Sequence, residues 1–170
     1  MRPTKRILAI TTAAVLAAGV LAVAEPVLAA VDHYEVQVDG LACPFCAYGL
    51  EKKLKKLPGA ANVHIELNEG RAAFDVASGV LLPGPIRDAV RDAGFTARNI
   101  TATASGTVEG EGTDLRLDIG GEQMLVLRGG DALVELQALV KKNQRTVVVT
   151  GPISRVGDTW QLAVTQVKPR

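Results

Sequence analysis

The sequence predicts an α+β protein, made of a β-α-β-β-α-β plait followed by a small β-barrel. Two periodicities support this class. Apolar residues that alternate with polar ones indicate short, half-buried strands. Apolar residues spaced three and four apart indicate helices between those strands. The composition also changes near residue 100, where Gly and Thr become frequent, and this change suggests two units with different architectures.

The N-terminus has the three-part pattern of an export signal. Its basic opening holds three residues: Arg2, Lys5 and Arg6. An apolar stretch from Ile7 to Val23 follows, and then small residues up to Ala29. This pattern predicts a signal peptide over residues 1–29 and a periplasmic location. The alternative is an uncleaved membrane anchor, for which the stretch is slightly short. No other segment is long and apolar enough to span a bilayer, so we expect no stable membrane insertion after cleavage.

The first unit begins with a strand and a helix. Val36 and Val38 alternate with polar residues, which predicts a strand. Leu50, Leu54 and Leu57 then form one apolar stripe, which predicts a helix that begins at Cys46 and ends at Leu57.

The hairpin, the second helix and the last strand complete this unit. Alternation at 63–67 and 72–76, around a Gly-containing turn, predicts a β-hairpin. Pro85 opens a helix whose apolar spacing continues to Ala93. A strand over 96–100 follows. The order β-α-β-β-α-β is that of the ferredoxin-like plait, which we assign to residues 31–101.

The cysteines of the chain are Cys43 and Cys46, and there are no others. They lie between the first predicted strand and the first predicted helix. Backbone N–H groups and the helix dipole at such a position favour thiolate over thiol. Thiolates bind soft metal ions and also carry out disulfide exchange. Two cysteines three positions apart close too small a loop to be an effective structural staple, so we predict a functional pair.

The first unit resembles the heavy-metal-associated domain of copper chaperones, metal-pumping ATPases and periplasmic mercury-binding proteins. The resemblance rests on Gly40–Cys46, on Leu57–Gly59 and on the spacing from Ile86 to Phe95. It implies a protein that is not an enzyme and that binds one soft metal ion per chain through Cys43 and Cys46. Cu(I) or Hg(II) fits two thiolates best, with Zn(II) or Cd(II) as alternatives. The implied partner is a metal-donor or metal-acceptor protein, for example a membrane transporter.

Two residues depart from the family pattern. Leu41 stands where the family usually has Met, and the resemblance implies a core anchor at that position rather than a ligand. Pro44 lies between the cysteines and has no N–H to donate to either sulfur. Phe95 is expected to pack in the core close to the metal loop.

Cys-Pro-Phe-Cys also resembles the redox motif of thioredoxin-like proteins. The alternative function is therefore a periplasmic thiol–disulfide oxidoreductase. Those folds place a cis-proline before a later strand. Here Pro58, Pro83 and Pro85 lie at predicted helix ends instead, which favours the plait.

The second unit, over residues 104–170, has the predicted order of three strands, a helix and two strands. This is the order of an OB-fold barrel. Residues 101–108 indicate a strand or a strand–linker mixture, and residues 109–112 a turn or loop. Asp131 is a candidate N-cap of the helix, and Gly151-Pro152 a candidate turn.

The charges and histidines suggest few further partners. The chain has 19 Lys and Arg against 18 Asp and Glu, and neither half is basic enough to suggest nucleic acid as a partner. His64 lies on the polar side of its strand. If cleavage fell after Ala30, His33 would be the third residue of the mature chain and could complete a square-planar chelate for Cu(II) or Ni(II).

Overall fold

The structure is a computed structural model that describes residues 30–77, 82–120 and 122–170. The predicted signal peptide, residues 1–29, lies outside the described residues. The elements follow in chain order: β1 (Ala30–Asp39), α1 (Pro44–Leu54), β2 (Ala60–Glu66), a 3₁₀ turn (Leu67–Glu69), β3 (Arg71–Val76), α2 (Pro83–Asp92), β4 (Thr96–Glu111), β5 (Asp114–Asp118), β6 (Met124–Arg128), α3 (Leu133–Lys141), β7 (Thr146–Val156), β8 (Thr159–Ala163) and β9 (Gln166–Pro169).

The first unit is an antiparallel sheet in the order β2-β3-β1-β4, with α1 and α2 packed against it. The predicted β-α-β-β-α-β order is confirmed. Its core joins the apolar stripes of both helices to the inward face of the sheet. Leu50 and Leu54 of α1 are fully buried, as is Ile86 of α2. Beneath them lie Tyr34 and Phe74, whose ring centroids are 5.7 Å apart.

The second unit is a closed five-stranded barrel in the order β4-β5-β6-β8-β7, which the β7–β4 pairing closes. All pairings around it are antiparallel except β6 with β8. Helix α3 connects β6 to β7. The predicted order of three strands, a helix and two strands is therefore present. β9 is an additional strand, which pairs with the outer edge of β7.

β4 belongs to both units. It is 16 residues long. Residues 101–105 pair with β1 on one side and with β7 on the other. The boundary predicted between residues 101 and 104 falls inside this strand, so the division into domains stays a prediction. Because a paired strand joins the units, the plait and the barrel share one continuous sheet.

Three local predictions for the second unit were wrong. Residues 109–111 are part of β4 rather than a loop. Gly151-Pro152 lies inside β7 rather than in a turn. A Cβ on Gly151 would lie 1.7 Å from the carbonyl oxygen of Ala163, so the glycine permits a close approach of two backbones. Asp131 does not cap α3, whose N-cap is Ala132 and has no side-chain hydrogen bond.

The ends of the first two helices also differ from prediction. α1 begins at Pro44 and ends at Leu54, and α2 begins at Pro83. Each helix has a proline in its first turn, where the missing N–H costs no hydrogen bond. Among the residues described, no helix has the length and apolar character that a membrane span requires.

Candidate metal-binding site

The cysteines lie at the end of the plait where β1 leads into α1. Gly40 ends β1 with a φ of +83°, a conformation that glycine adopts without strain. Leu41 is only 6% exposed, in agreement with the core role that the resemblance implies. Cys43 is the N-cap of α1 and Pro44 its first residue. The local sequence therefore places both sulfurs at the positive end of a helix.

Cys43 and Cys46 are joined by a disulfide bond, with their Cα atoms 5.3 Å apart. The backbone N–H of Cys46 donates to Sγ of Cys43 over 3.2 Å. Pro44 has no N–H to donate to this sulfur, and the donor within the Cys-Pro-Phe-Cys motif is Cys46. Both cysteines are half-buried, so neither residue is enclosed in the core. After reduction, the same N–H and the helix dipole would stabilise a thiolate on Cys43.

The surface around the disulfide is apolar. Phe45 is 90% exposed and Tyr48 is 66% exposed, although large aromatic side chains are usually buried. Phe95 is half-buried, and its Cδ1 lies 3.8 Å from where a Cβ on Gly40 would be. It packs against the core beside the loop, as predicted. The exposure of Phe45 and Tyr48 was missed, although both residues lie off the apolar stripe of α1.

Charged side chains lie at the end of β1 and at the C-terminal end of α1. Asp39, at the end of β1, pairs with Arg98 of β4. The four lysines of the region between residues 52 and 56 are exposed, and Lys55 pairs with Glu51 one turn earlier. Exposed pairs of this kind contribute little to stability. The lysines make the C-terminal end of α1 positive, at the opposite end of the helix from the sulfurs.

The β2–β3 turn lies at the same end of the plait as the cysteine loop. There the N–H of Val38, near the end of β1, donates to the carbonyl of Gly70 over 2.7 Å. Arg71 holds this end through three carboxylates: Glu35 at 3.3 Å, Glu66 at 3.0 Å and Glu69 at 2.7 Å. The hydrogen bond from Arg71 holds the pKa of Glu66 below its usual value. The same bond raises the pKa of Arg71. These contacts order the turn beside the cysteine loop.

The sulfurs of Cys43 and Cys46 are soft donor atoms at this end of the plait, and they are the metal ligands that the sequence predicts. Within the described ranges, no group of three or more His, Cys, Asp and Glu side chains is placed to hold a metal ion. His64 is exposed, with its Nε2 3.9 Å from Glu66, as its place on the polar side of the strand predicts. A two-sulfur set suits ions that accept low coordination numbers and soft ligands.

The family of heavy-metal-associated domains matches residues 35–96. These residues form a heavy-metal-associated domain. The domain includes both cysteines, the aromatic residues beside them and the Arg71 cluster. The matched range ends at the first residue of β4, so the barrel lies outside it.

Two curated relatives illustrate how the domain is used in other proteins. Over 64 residues the chain is 34% identical to Copper-transporting ATPase 2 of Rhizobium meliloti; the match covers 38% of this chain and 8% of the ATPase. Over 63 residues it is 25% identical to Copper chaperone CopZ of Staphylococcus saprophyticus; this match covers 37% of the chain and 93% of the chaperone. The chain thus spans a small fraction of the ATPase and nearly all of the chaperone.

A solved copper binding domain from HMA7, a P-type ATPase, is 25% identical to the chain. That comparison covers 39% of this chain and 90% of the solved domain, with a TM-score of 0.37. Neither of the two curated relatives is named as a thiol–disulfide oxidoreductase. The alternative function of the cysteine pair therefore gains no support from these comparisons, and the heavy-metal-associated domain has the plait rather than a thioredoxin-like order.

Proposed function

We propose that this protein is an exported metal carrier that is not an enzyme, binds one Cu(I) ion through Cys43 and Cys46, and passes it to a partner. The observation that carries the proposal is the position of the two sulfurs. They lie half-buried in a single turn, at the helix N-terminus of a heavy-metal-associated domain. The named copper relatives support copper as the ion.

Metal binding requires reduction of the disulfide. A dithiol reductant would attack one sulfur, form a mixed disulfide and leave as its own disulfide, transferring two electrons and two protons to the cysteine pair. Binding then displaces the protons, because the thiolate is the form that binds metal. The helix N-terminus and the N–H of Cys46 favour this deprotonation at Cys43.

The ligand number favours particular ions. Two thiolates satisfy Cu(I) or Hg(II), which accept two soft ligands. Zn(II) prefers four ligands, and a Zn(II) complex would need further donors from a partner or a second copy. The same argument applies to Cd(II). We therefore assign Cu(I) first and Hg(II) second.

Transfer follows from the accessibility of the sulfurs. A partner with its own thiolates can approach the half-buried pair and replace one sulfur at a time through three-coordinate intermediates. The exposed rings of Phe45 and Tyr48 offer it an apolar contact next to the metal. The partner is a metal-donor or metal-acceptor protein, and a membrane transporter is one such acceptor.

We place the protein in the periplasm, on the export pattern of residues 1–29. We also propose that the barrel is of the OB type. Its strand order, its parallel β6–β8 pair and its helix before β7 support that assignment. N-terminal sequencing of the exported protein is expected to find Ala30 first, and an intact Met1 on the membrane-bound protein would contradict export with cleavage.

The test is an anaerobic titration of the reduced protein with Cu(I) in competition with a chromophoric chelator. We expect one Cu(I) per chain, confirmed by the mass of the intact complex. Cys43→Ser and Cys46→Ser should each weaken binding by at least about 100-fold, about 2.7 kcal/mol. Ala42→Ser is the matched control, because it adds a hydroxyl to the same loop at an exposed position and removes no sulfur.

Two results would overturn the proposal. One is that the reduced wild-type protein fails to compete with the chelator for Cu(I). The other is that either cysteine variant binds as tightly as the Ala42→Ser variant. Catalytic turnover of a disulfide substrate without metal would instead establish the oxidoreductase.

A further inference from the structure

A polar groove of about 460 Å³ lies on the face of the sheet opposite α1 and α2. It extends across β1, β4, β7 and β9, so both units contribute to it. The plait lines one side with His33 and Glu35, and β9 lines the other with Lys168. The groove lies on the other side of the sheet from the helix that carries the cysteines, and the metal carrier function does not account for it.

His33 is held in a fixed orientation at this groove. Its Nδ1 lies 2.7 Å from Oδ1 of Asp75, on the neighbouring strand β3. The other carboxylate oxygen of Asp75 accepts a hydrogen bond of 2.8 Å from the amide of Asn62. The hydrogen bonds from Asn62 and His33 hold the pKa of Asp75 below its usual value. An ionised Asp75 accepts the Nδ1 proton, and Nε2 is then the ring nitrogen with a lone pair for a ligand.

This arrangement is typical of a metal-binding histidine. Such histidines usually donate one ring N–H to a carboxylate, which fixes the ring and makes the other nitrogen more basic. Glu35 lies two residues further along β1, on the same face and in the same groove. Side chains at i and i+2 of a strand point the same way, so the imidazole and the carboxylate can converge on one ion.

The charge of this face favours a cation. On this face of the plait four carboxylates lie near one guanidinium, that of Arg71; they belong to Glu35, Glu66, Glu69 and Asp75. Of the four, Glu35 lines the groove and Asp75 holds His33. Nη1 of Arg71 lies 3.3 Å from Oε2 of Glu35, so an ion bound by Glu35 would share this carboxylate with the guanidinium. Lys168 lies on β9, three strands away from β1.

Hydroxyl groups continue the row of polar groups into the groove. Thr103 is the cross-strand neighbour of His33, and Thr150 is the cross-strand neighbour of Thr103. Their Oγ1 atoms are 2.9 Å apart. Both residues line the groove. Hydroxyls in this position can hold water molecules that complete the coordination of an ion.

We propose that His33 and Glu35 form a second metal site, for a divalent cation of the Cu(II) or Zn(II) class. Nε2 of His33 and a carboxylate oxygen of Glu35 are the protein ligands, and water fills the remaining positions. Imidazole and carboxylate suit these borderline ions rather than Cu(I), and Cu(II) binds nitrogen and oxygen donors most tightly among the first-row divalent metals. The site is thus chemically distinct from the sulfur pair.

The structure favours this site over an N-terminal chelate at His33. Such a chelate needs the backbone nitrogens of residues 31–33 in one plane around the metal. Here Val31 and His33 are paired with β4, and Nδ1 of His33 is engaged with Asp75.

The test uses the full chain with its disulfide intact, so that the sulfurs cannot bind. Titration with Cu(II), followed by electron paramagnetic resonance, should show one ion per chain with hyperfine coupling to a single imidazole nitrogen. His33→Gln should abolish that coupling. His64→Gln is the matched control, since His64 is the other histidine of the chain and is exposed, and it should bind as the wild type does.

Two further variants test the remaining groups. Asp75→Asn should weaken binding by about 10–100-fold, the usual effect of removing the carboxylate behind a metal-bound histidine, while the imidazole coupling remains. Glu35→Gln should also weaken binding. The proposal is overturned if the wild type shows no Cu(II) binding tighter than about 100 µM. It is equally overturned if the His33→Gln variant, with circular dichroism like that of the wild type, keeps the imidazole coupling.

Discussion

Replacement of Gly106 by Ala tests how closely β4 and β5 approach each other in the barrel. Gly106 is buried in β4. A Cβ at this position would lie 2.0 Å from the carbonyl oxygen of Asp118 and 3.3 Å from Cγ of Leu117. Real Cβ atoms do not approach other atoms closer than 3.0 Å. β5 would therefore have to retreat by about 1 Å, and a backbone oxygen within a sheet cannot move alone.

The expected loss of stability follows from the contacts that this movement breaks. Next to Gly106 the ladder pairs Thr107 with Asp118 and Val108 with Leu117. Two stretched backbone hydrogen bonds cost about 1 kcal/mol each. Partial withdrawal of Leu117, which is fully buried, costs about 1–2 kcal/mol more. We expect Gly106→Ala to lower the free energy of unfolding by about 3–4 kcal/mol, a large fraction of the stability of a small domain.

Urea unfolding followed by tryptophan fluorescence measures this loss. Trp160 is the only tryptophan of the chain and lies in β8 of the same barrel. The midpoint for Gly106→Ala should fall by about 1–2 M urea. The matched control is Gly49→Ala in α1, where a Cβ would meet no atom within 4 Å. A helical glycine is about 1 kcal/mol less favourable than alanine, so the control should become more stable.

A change of less than about 1 kcal/mol for Gly106→Ala would refute the reasoning. It would mean that the two strands are farther apart than described, or that the barrel absorbs the added methyl group without breaking its ladder. A loss as large in the Gly49→Ala control would refute the assignment of open space around α1.

Two other predictions concern Asp75, on the face of the sheet opposite the helices, and Phe45, in the cysteine loop. Because the pKa of Asp75 is lowered in the folded state, its ionised form stabilises the protein above the unfolded pKa of about 4, and this contribution disappears as the pH falls through the lower folded pKa. The stability advantage of the wild type over Asp75→Asn should therefore shrink between about pH 5 and pH 3 in urea titrations; a constant difference would contradict this cause. Phe45→Ser should change the free energy of unfolding by less than about 0.5 kcal/mol, because the ring is 90% exposed. It should leave the Cu(I) affinity unchanged and slow stopped-flow transfer to an acceptor, and an unchanged transfer rate would exclude Phe45 from the partner contact.

The local sequence was sufficient for the plait and the cysteine loop. The stripe of Leu50 and Leu54 is a property of a single helix, and so is the position of Cys43 just before its first turn. Neither feature depends on which strand lies next to which. Prediction was therefore accurate where the periodicity of one segment decides its structure.

The sequence could not reveal which distant segments meet, and this limits the prediction of the second unit. Gly151-Pro152 has the composition of a turn, yet it lies inside β7 because the backbone of β8 passes too close for a side chain. The same limitation applies to β4. The sequence predicts a strand over 96–100, and β4 continues to Glu111 as the first strand of the barrel.

The sequence by itself determined the order of the elements, the apolar faces of the helices and the placement of two sulfurs at a helix N-terminus. Only the tertiary structure decided that plait and barrel share a strand, and that Asp75 meets His33 at the edge of a groove. The physical reason is that helix caps and periodic faces depend on residues a few positions apart. Strand register and the approach of two backbones depend instead on residues brought together only when the whole sheet has formed.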